Sequence, residues 1–147
     1  MPCNCCGACF ECCDINGVTI YDPFGNPYTL TFLGTIDLSD FVCITGLTGE
    51  CAWQLTEVEA HGCLFSGAIC TEPCEVDGFY NLIFWCQDIA GTITPRFAWE
   101  RYYLDGGGNK VCCESDSCTV TCTVVDNVAV WNLGCITDAG AWTADIT

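Results

Sequence analysis

The chain of 147 residues is long enough for one domain with its own core, since 51% of its residues are hydrophobic. Its 19 acidic residues outnumber the 3 basic ones, and the resulting net charge of -16 disfavours binding to nucleic acid or to an anionic membrane surface. We therefore expect no nucleic-acid partner. No stretch approaches the roughly 18 consecutive apolar residues of a membrane-spanning helix, so we expect no membrane span either.

The first thirteen residues, MPCNCCGACFECC, contain a cluster of six cysteines: Cys3, Cys5, Cys6, Cys9, Cys12 and Cys13. Residues 1–15 hold little strand-forming sequence, so we predict a short irregular N-terminal appendix there and a single domain over residues 16–147. The C-x2-C pairs of the cluster fit a four-thiolate zinc site. Three of its cysteines have the spacing of iron–sulfur ligands, although the usual Cys-Pro is missing. Disulfides within the chain, or to a neighbouring subunit, are the alternative, so disulfide or metal stays open for these six residues.

The rest of the sequence reads as short strands separated by turns. Runs of β-forming residues predict strands at residues 18–22, 28–34, 41–45, 51–59, 63–69, 79–88, 96–104, 110–113, 118–126 and 128–134, with a further strand in the tail. The run FYNLIFWCQD at 79–88 is apolar on both faces and is predicted to be a central strand. Asp126-Asn127 is a predicted turn. The pattern indicates an all-β fold, a β-sandwich or jelly roll, with its tryptophans in the core: Trp53, Trp85, Trp99 and Trp131.

Cysteine makes up 17 of the 147 residues, above the share of about 8–10% that marks disulfide scaffolds. Because the count is odd, at least one thiol of the oxidised protein is free or bonded to another chain. The spread of cysteines over the strands favours cross-links over one metal cage. We therefore predict disulfides for the eleven cysteines of the domain: Cys43, Cys51, Cys63, Cys70, Cys74, Cys86, Cys112, Cys113, Cys118, Cys122 and Cys135. The adjacent Cys112 and Cys113 are expected to reach different partners, because a disulfide needs Cα atoms about 4.4–6.8 Å apart.

One polar set on a predicted strand is a candidate acid–base or metal site. Glu57, Glu59 and His61 alternate along one face, with Cys63 next. An exposed polar strand end explains the same pattern. The serines have no nucleophile-elbow context: Ser39, Ser66, Ser115 and Ser117. Because no nucleophile–base pair or acid pair stands out, we do not expect an enzyme.

Two further sets are candidate binding residues. Two acidic pairs are potential calcium ligands: Asp37 with Asp40, and Glu114 with Asp116. Turn caps and solvated surface charges are the alternative explanation for them. Three aromatic residues are potential stacking surfaces for a sugar: Tyr102, Tyr103 and Trp142. The alternative is that they are ordinary aromatics paired across a sheet.

In outline, the chain resembles small cysteine-rich β proteins encoded among the virion structural genes of tailed phages and prophages. The resemblance lies in the poly-cysteine start CNCCGACFECC, the threonine-alternating strands YTLTFLG and CTVTCTV, and the Cys-x-Trp strand CAW. The resemblance spans the whole chain and is a resemblance of composition. It implies a structural role for the protein, but it assigns no functional role to any single residue.

The compartment follows from two observations. The cysteine content is that of a secreted protein, yet the N-terminus has no recognisable signal peptide. A virion protein, made in a reducing cytosol and released by lysis into an oxidising medium, combines both features. A leaderless export route, or a mature chain whose leader has been removed, also fits them. We therefore expect an extracellular or virion location.

The expected function is a structural subunit stabilised by disulfides: a phage decoration, tail or spike protein, or a filament subunit. Its expected partners are copies of itself or other structural subunits, and no cofactor is expected. The first alternative is a zinc or iron–sulfur protein that uses the N-terminal cysteine cluster. The second is a carbohydrate- or receptor-binding sandwich.

Overall fold

The protein is described by a computed structural model that covers residues 15–59, 78–137 and 140–147, and this part of the chain is all-β. Ten strands follow one another: β1 (Val18–Tyr21), β2 (Pro27–Thr29), β3 (Thr31–Thr35), β4 (Glu50–Glu59), β5 (Phe79–Ile89), β6 (Thr92–Leu104), β7 (Lys110–Thr119), β8 (Thr121–Val125), β9 (Val128–Asn132) and β10 (Thr143–Ile146). They form two antiparallel five-stranded sheets, β2-β1-β10-β9-β8 (sheet I) and β3-β4-β5-β6-β7 (sheet II). The predicted all-β sandwich class is confirmed.

The chain passes between the two sheets at two corners, each made by a single buried residue. Leu30 separates β2 from β3, and Val120 separates β7 from β8. The N–H of Leu30 donates to the carbonyl of Val18 (2.9 Å), and that of Val120 donates to the carbonyl of Pro95 (2.9 Å). Strands that change sheets at such bends are typical of sandwiches. The single strands predicted over 28–34 and 118–126 are therefore each divided between the sheets.

The main core lies between the sheets and is rich in aromatic residues. Sheet I and the segments beside it contribute Val18, Ile20, Trp131, Leu133, Ile136, Trp142 and Ala144, and sheet II contributes Trp53, Tyr80, Leu82, Phe84, Phe97 and Trp99. Each fully buried aromatic removes about 150–250 Å² from water, so these rings dominate the energetics of packing. The four tryptophans predicted to be buried are each at most 6% exposed.

Strand β5 is the middle strand of sheet II, as its two apolar faces predict. Leu82 and Phe84 face the core between the sheets, whereas Ile83 and Trp85 lie on the outer face. That outer face is covered by residues 36–49, which connect β3 to β4 and which we call the strap. Five apolar strap residues pack there: Ile36, Leu38, Phe41, Ile44 and Leu47.

The strand predicted at residues 41–45 is wrong. The strap is irregular there, and its apolar residues face the sheet without joining a ladder. A short apolar run has the same sequence pattern whether it pairs as a strand or lies across a sheet. The periodicity of residues 41–45 therefore could not distinguish the two. The strand predicted at 63–69 and residues 1–14 lie outside the described residues, so the division at residue 15 stays a prediction.

A buried carboxylate organises the turn between β1 and β2. The Oδ1 atom of Asp22 accepts hydrogen bonds from the N–H groups of Phe24 and Asn26 (both 2.9 Å), and its Oδ2 accepts from the side chains of Asn26 (2.9 Å) and Tyr28 (2.8 Å). Burial raises the pKa of Asp22, but these hydrogen bonds outweigh it and hold the pKa below its usual value. Burial, together with the hydrogen bond to this carboxylate and its charge, raises the pKa of Tyr28.

Candidate functional site: the disulfide-bonded strap and its sheet

Every cysteine in the described part of the chain is disulfide-bonded: Cys43, Cys51, Cys86, Cys112, Cys113, Cys118, Cys122 and Cys135. The protein is therefore disulfide-rich, as its composition predicts. The remaining cysteines, namely the six of the N-terminal cluster with Cys63, Cys70 and Cys74, lie outside the described residues. The choice between disulfide and metal in that cluster stays open.

The Cys43–Cys112 disulfide ties the strap to β7. Its Cα atoms are 5.2 Å apart, and the two cysteines are 69 residues apart in sequence. Because Cys112 is bonded to Cys43 and Cys113 is also disulfide-bonded, the adjacent pair is not bonded to itself. The bond fixes the strap to the edge strand of sheet II.

The Cys118–Cys135 disulfide joins the two sheets. Cys118 lies in β7 of sheet II, and Cys135 lies in the connection between β9 and β10 of sheet I. Around it, the N–H of Cys135 donates to the Sγ of Cys118 (3.3 Å), and the indole N–H of Trp99 donates to the carbonyl of Cys135 (2.8 Å). A covalent bond and a hydrogen bond from the core thus hold the same point of sheet I against sheet II.

Three buried polar side chains form a row under the strap, which we call the polar row: Gln54 on β4, Asn81 on β5 and Glu100 on β6. The Gln54 amide makes a reciprocal pair with Asp37, because its Oε1 accepts from the Asp37 N–H (2.9 Å) and its Nε2 donates to the Asp37 carbonyl (2.6 Å). The Nδ2 of Asn81 donates to the carbonyl of Asp40 (3.0 Å). Each amide therefore satisfies backbone groups of a strap that has no ladder of its own.

Glu100 lies at the β6 end of the row and is fully buried. Its carboxylate accepts hydrogen bonds from three consecutive strap N–H groups, those of Val42 (2.7 Å), Cys43 (2.9 Å) and Ile44 (2.9 Å), and from the Nδ2 of Asn81 (3.1 Å). Consecutive N–H groups that converge in this way form an anion-binding concavity. Four donors offset the large cost of burying a carboxylate. The row was not predicted from the sequence, although Asn81, an isolated polar residue within the apolar run of β5, is a signal that could have found one member of it.

The only three basic residues of the chain all lie on sheet II and all have intramolecular partners. Arg101 forms an ion pair with Glu114 and lies over the Tyr80 ring. The Nζ of Lys110 donates to the strap carbonyl of Asp40 (2.8 Å). The third, Arg96, donates through Nη1 to the Thr119 hydroxyl (2.8 Å). The cations serve internal contacts, and the remaining surface charge is predominantly acidic.

In the described part of the predicted acid–base set, the strand departs from regular geometry at Glu57. Glu57 and Glu59 are exposed, and the pairing of β4 with β5 shifts register between Leu55 and Val58. Glu57 has a φ of 60°, so the backbone departs from extended geometry there. His61 and Cys63 lie outside the described residues. A straight alternation of side chains through residue 57 was the wrong geometry for this segment.

Three of the four acidic candidates have side-chain partners within the protein. Hydrogen bonds from Ser39 hold the pKa of Asp37 below its usual value. Glu114 pairs with Arg101, and the Oδ1 of Asp116 accepts from the N–H of Ser117 (2.8 Å). Within residues 15–59, 78–137 and 140–147, no group of three or more His, Cys, Asp or Glu side chains is arranged to hold a metal ion.

Two of the three candidate sugar-stacking aromatics are buried, which favours the alternative of ordinary packed aromatics for them. Tyr102 is 1% exposed and stacks on Phe79 (5.5 Å between ring centroids), whereas Trp142 is 2% exposed and stacks on Tyr28 (5.9 Å). Burial and the charges of neighbouring carboxylates raise the pKa of Tyr102 to about 12. Tyr103 is half-buried. A sugar ring has no access to the faces of Tyr102 and Trp142.

Two clefts flank the strap. One, of about 320 Å³, is lined by strap residues 43–45 and 47, by Ala98, and by residues 115–117 of β7. The other, of about 280 Å³, is lined by Asp37, Asp40 and residues of β3 and β4. The described lining of the first cleft offers serine hydroxyls and a carboxylate, and that of the second offers threonine hydroxyls and carboxylates, so neither lining includes the histidine of a serine–histidine pair.

No protein-family model, no curated protein and no solved structure matches this chain. None of the described residues forms a helix that is long and apolar enough to cross a membrane. The geometry of the strap, its disulfide and the polar row is therefore the basis for a functional proposal.

Proposed function

We propose that the protein is a structural subunit of an extracellular or virion assembly, such as a phage decoration, tail or spike protein or a filament subunit. The observation that carries this proposal is that all eight described cysteines are in disulfides, and that the two bonds with both ends described join separate layers of the fold. One ties the covering strap to sheet II, and the other ties sheet II to sheet I. Cross-links between layers oppose mechanical separation and unfolding.

The location proposed for it is outside the reducing cytosol. Disulfides form and persist in secreted and virion-surface proteins, whereas cellular thiol systems reduce them inside most cells. A virion protein reaches such a medium at lysis. The acidic surface adds support, since a strongly charged surface keeps a subunit soluble before it assembles.

The proposed mechanism is mechanical and not catalytic, and it needs no cofactor. The described clefts beside the strap lack a nucleophile–base pair, and the buried ionisable group Glu100 is fully occupied by strap N–H groups. The disulfide and the hydrogen bonds of this site hold the strap on sheet II. We assign the contact with neighbouring subunits to residues 1–15, through the cysteines of the N-terminal cluster or through a sheet edge.

The test is the intact mass of the protein under denaturing, non-reducing conditions, with and without thiol alkylation. Each disulfide lowers the mass by about 2 Da, because two hydrogens are lost when the bond forms. We expect at most one alkylatable thiol per chain, together with covalent multimers that a reductant dissolves. The fully reduced and alkylated chain, with 17 modified cysteines, is the matched control.

A metal-binding cluster gives the opposite result. If four or more of the six N-terminal cysteines alkylate only after a chelator removes stoichiometric zinc or iron, the cluster is a metal site and the structural proposal loses its intersubunit contact. A variant without residues 1–15 completes the test. It is expected to fold and to lose the covalent multimers, and unchanged assembly would refute the assigned contact.

A further inference from the structure

The strap is held in place by contacts that do not involve its disulfide. At its base, the N–H of Ile36 donates to the carbonyl of Gly49 (3.1 Å). Along its length, the polar row binds Asp37, Asp40 and the N–H groups of residues 42–44, and Lys110 adds a hydrogen bond to the Asp40 carbonyl. None of these contacts is made by a cysteine side chain.

The sheet also depends on the strap. Without it, Trp85, Ile83, Ala52 and Ala98 would face water as one apolar patch on the outer face of sheet II. Glu100 would lose three of its four donors and would be left beside that patch. Apolar burial and a buried carboxylate that takes three of its four hydrogen bonds from the strap therefore both favour the docked strap.

Cys43 lies at the middle of this docked segment. Its own N–H donates to Oε1 of Glu100 (2.9 Å), and the N–H groups on either side of it donate to the same carboxylate. Its Cα lies 5.2 Å from that of Cys112, within the range that a disulfide requires. The carboxylate thus fixes the backbone of Cys43 at the distance from β7 at which the bond can close.

We propose that the strap docks on sheet II before the Cys43–Cys112 disulfide forms, and that Glu100 is the positioning residue that places Cys43 for this bond. The disulfide then locks a contact that the non-covalent groups have already made. This goes beyond the structural role proposed above, because it concerns the order of folding and oxidation and holds in any assembly.

The covalent step is a pair of thiol–disulfide exchanges with a small-molecule disulfide such as oxidised glutathione. The thiolate of Cys112, the more exposed of the two cysteines, attacks one glutathione sulfur and releases one glutathione thiolate. The thiolate of Cys43 then attacks the Cys112 sulfur of this mixed disulfide and releases the second glutathione. Two protein thiols are oxidised, and one glutathione disulfide is reduced to two thiols.

The test measures amide hydrogen exchange in the full chain carrying C43A and C112A, which removes the bond and leaves both backbone amides. We expect the amides of Val42 and Ile44 to stay at least about a hundredfold slower to exchange than in an unstructured chain. Adding E100Q is expected to speed their exchange at least tenfold, equivalent to about 1.4 kcal/mol. The charge-matched control is D145N, at an exposed position of β10, and it is expected to leave the strap amides unchanged.

A second readout separates positioning from a general structural role. The reduced chain is oxidised with glutathione disulfide, and the closure of Cys43–Cys112 is timed against that of Cys118–Cys135 in the same molecule. E100Q is expected to slow the first relative to the second by at least about threefold. An unchanged ratio overturns the positioning role of Glu100.

Loss of protection at Val42 and Ile44 in the C43A/C112A chain, or failure of that chain to fold, overturns the proposed order. Either result would mean that the bond comes first and that the strap docks because of it. Neither outcome bears on whether the protein is an assembly subunit, which the covalent multimers test separately.

Discussion

The inter-sheet disulfide allows a quantitative prediction, because its effect on the unfolded chain depends on the loop that it closes. Cys118 and Cys135 are 17 residues apart in sequence. In the chain-entropy model, closing a loop of this length destabilises the unfolded state by about 3 kcal/mol at 25 °C. The C118A/C135A variant also leaves the N–H of Cys135 without its sulfur acceptor, which adds about 1 kcal/mol. We expect the free energy of unfolding to fall by about 3–4 kcal/mol.

The assay is equilibrium unfolding in guanidinium chloride, followed by tryptophan fluorescence and by far-UV circular dichroism. The midpoint should fall and the m-value should rise, because the unfolded chain without this cross-link exposes more surface. The control is the reduced and alkylated wild type, in which all cross-links are absent. Its free energy of unfolding shows how far stability falls when every disulfide is lost, and the C118A/C135A variant is compared with it. A loss below about 1 kcal/mol with an unchanged m-value would refute the reasoning, since it would show that this bond does not restrict the unfolded chain.

Three further predictions concern side chains whose roles the structure defines. E100Q is expected to destabilise the protein by about 2–3 kcal/mol in the same assay, because a charged acceptor of backbone N–H groups is lost, whereas D145N should change stability by less than about 0.5 kcal/mol. W142A is expected to cost about 3–5 kcal/mol, since it empties a buried ring position, and a loss below about 1 kcal/mol would contradict its place in the core. The pKa of Asp22 is lowered in the folded state, so its carboxylate stabilises the fold at neutral pH, and this contribution is lost as the pH falls below about 4. Acid titration of the unfolding free energy should therefore be steeper for the wild type than for D22A, and parallel curves would exclude the assigned role.

The sequence predicted those parts of the fold that depend on local pattern. The two apolar faces of 79–88 identify a central strand, and Asp126-Asn127 takes the two positive φ angles of a tight hairpin turn, 51° and 65°. The corners at Leu30 and Val120 were not predictable in this way, because the alternation of side chains continues unbroken while the backbone changes sheets. The wrong strand at residues 41–45 of the strap has a related cause. Only the tertiary structure decides whether an apolar run pairs with another strand or covers the face of a sheet.

The candidate site was less predictable than the fold, because it depends on residues far apart in sequence. Glu100 and its strap donors are separated by 56–58 residues, and no local pattern connects them. A charged residue within RFAWERYYL suggests an exposed position when the strand is read alone. The structure shows the opposite, because the strap covers the face of the sheet on which this carboxylate lies. Cysteine content predicted a disulfide-rich protein, but the pairing of Cys43 with Cys112 required the three-dimensional arrangement.

The disulfides occur in a chain that also has a large core. Domains below about 70–80 residues often need cross-links because their cores are small, but this chain is 147 residues long and buries a large aromatic core between its sheets. The polar row also docks the strap without covalent help. Cross-links added to a fold that already has these contacts mainly slow its unfolding and limit its excursions, which is the property that governs survival of a protein outside the cell. A subunit of an exposed assembly needs that resistance, and this need is the physical reason for linking the proposed function to the disulfides.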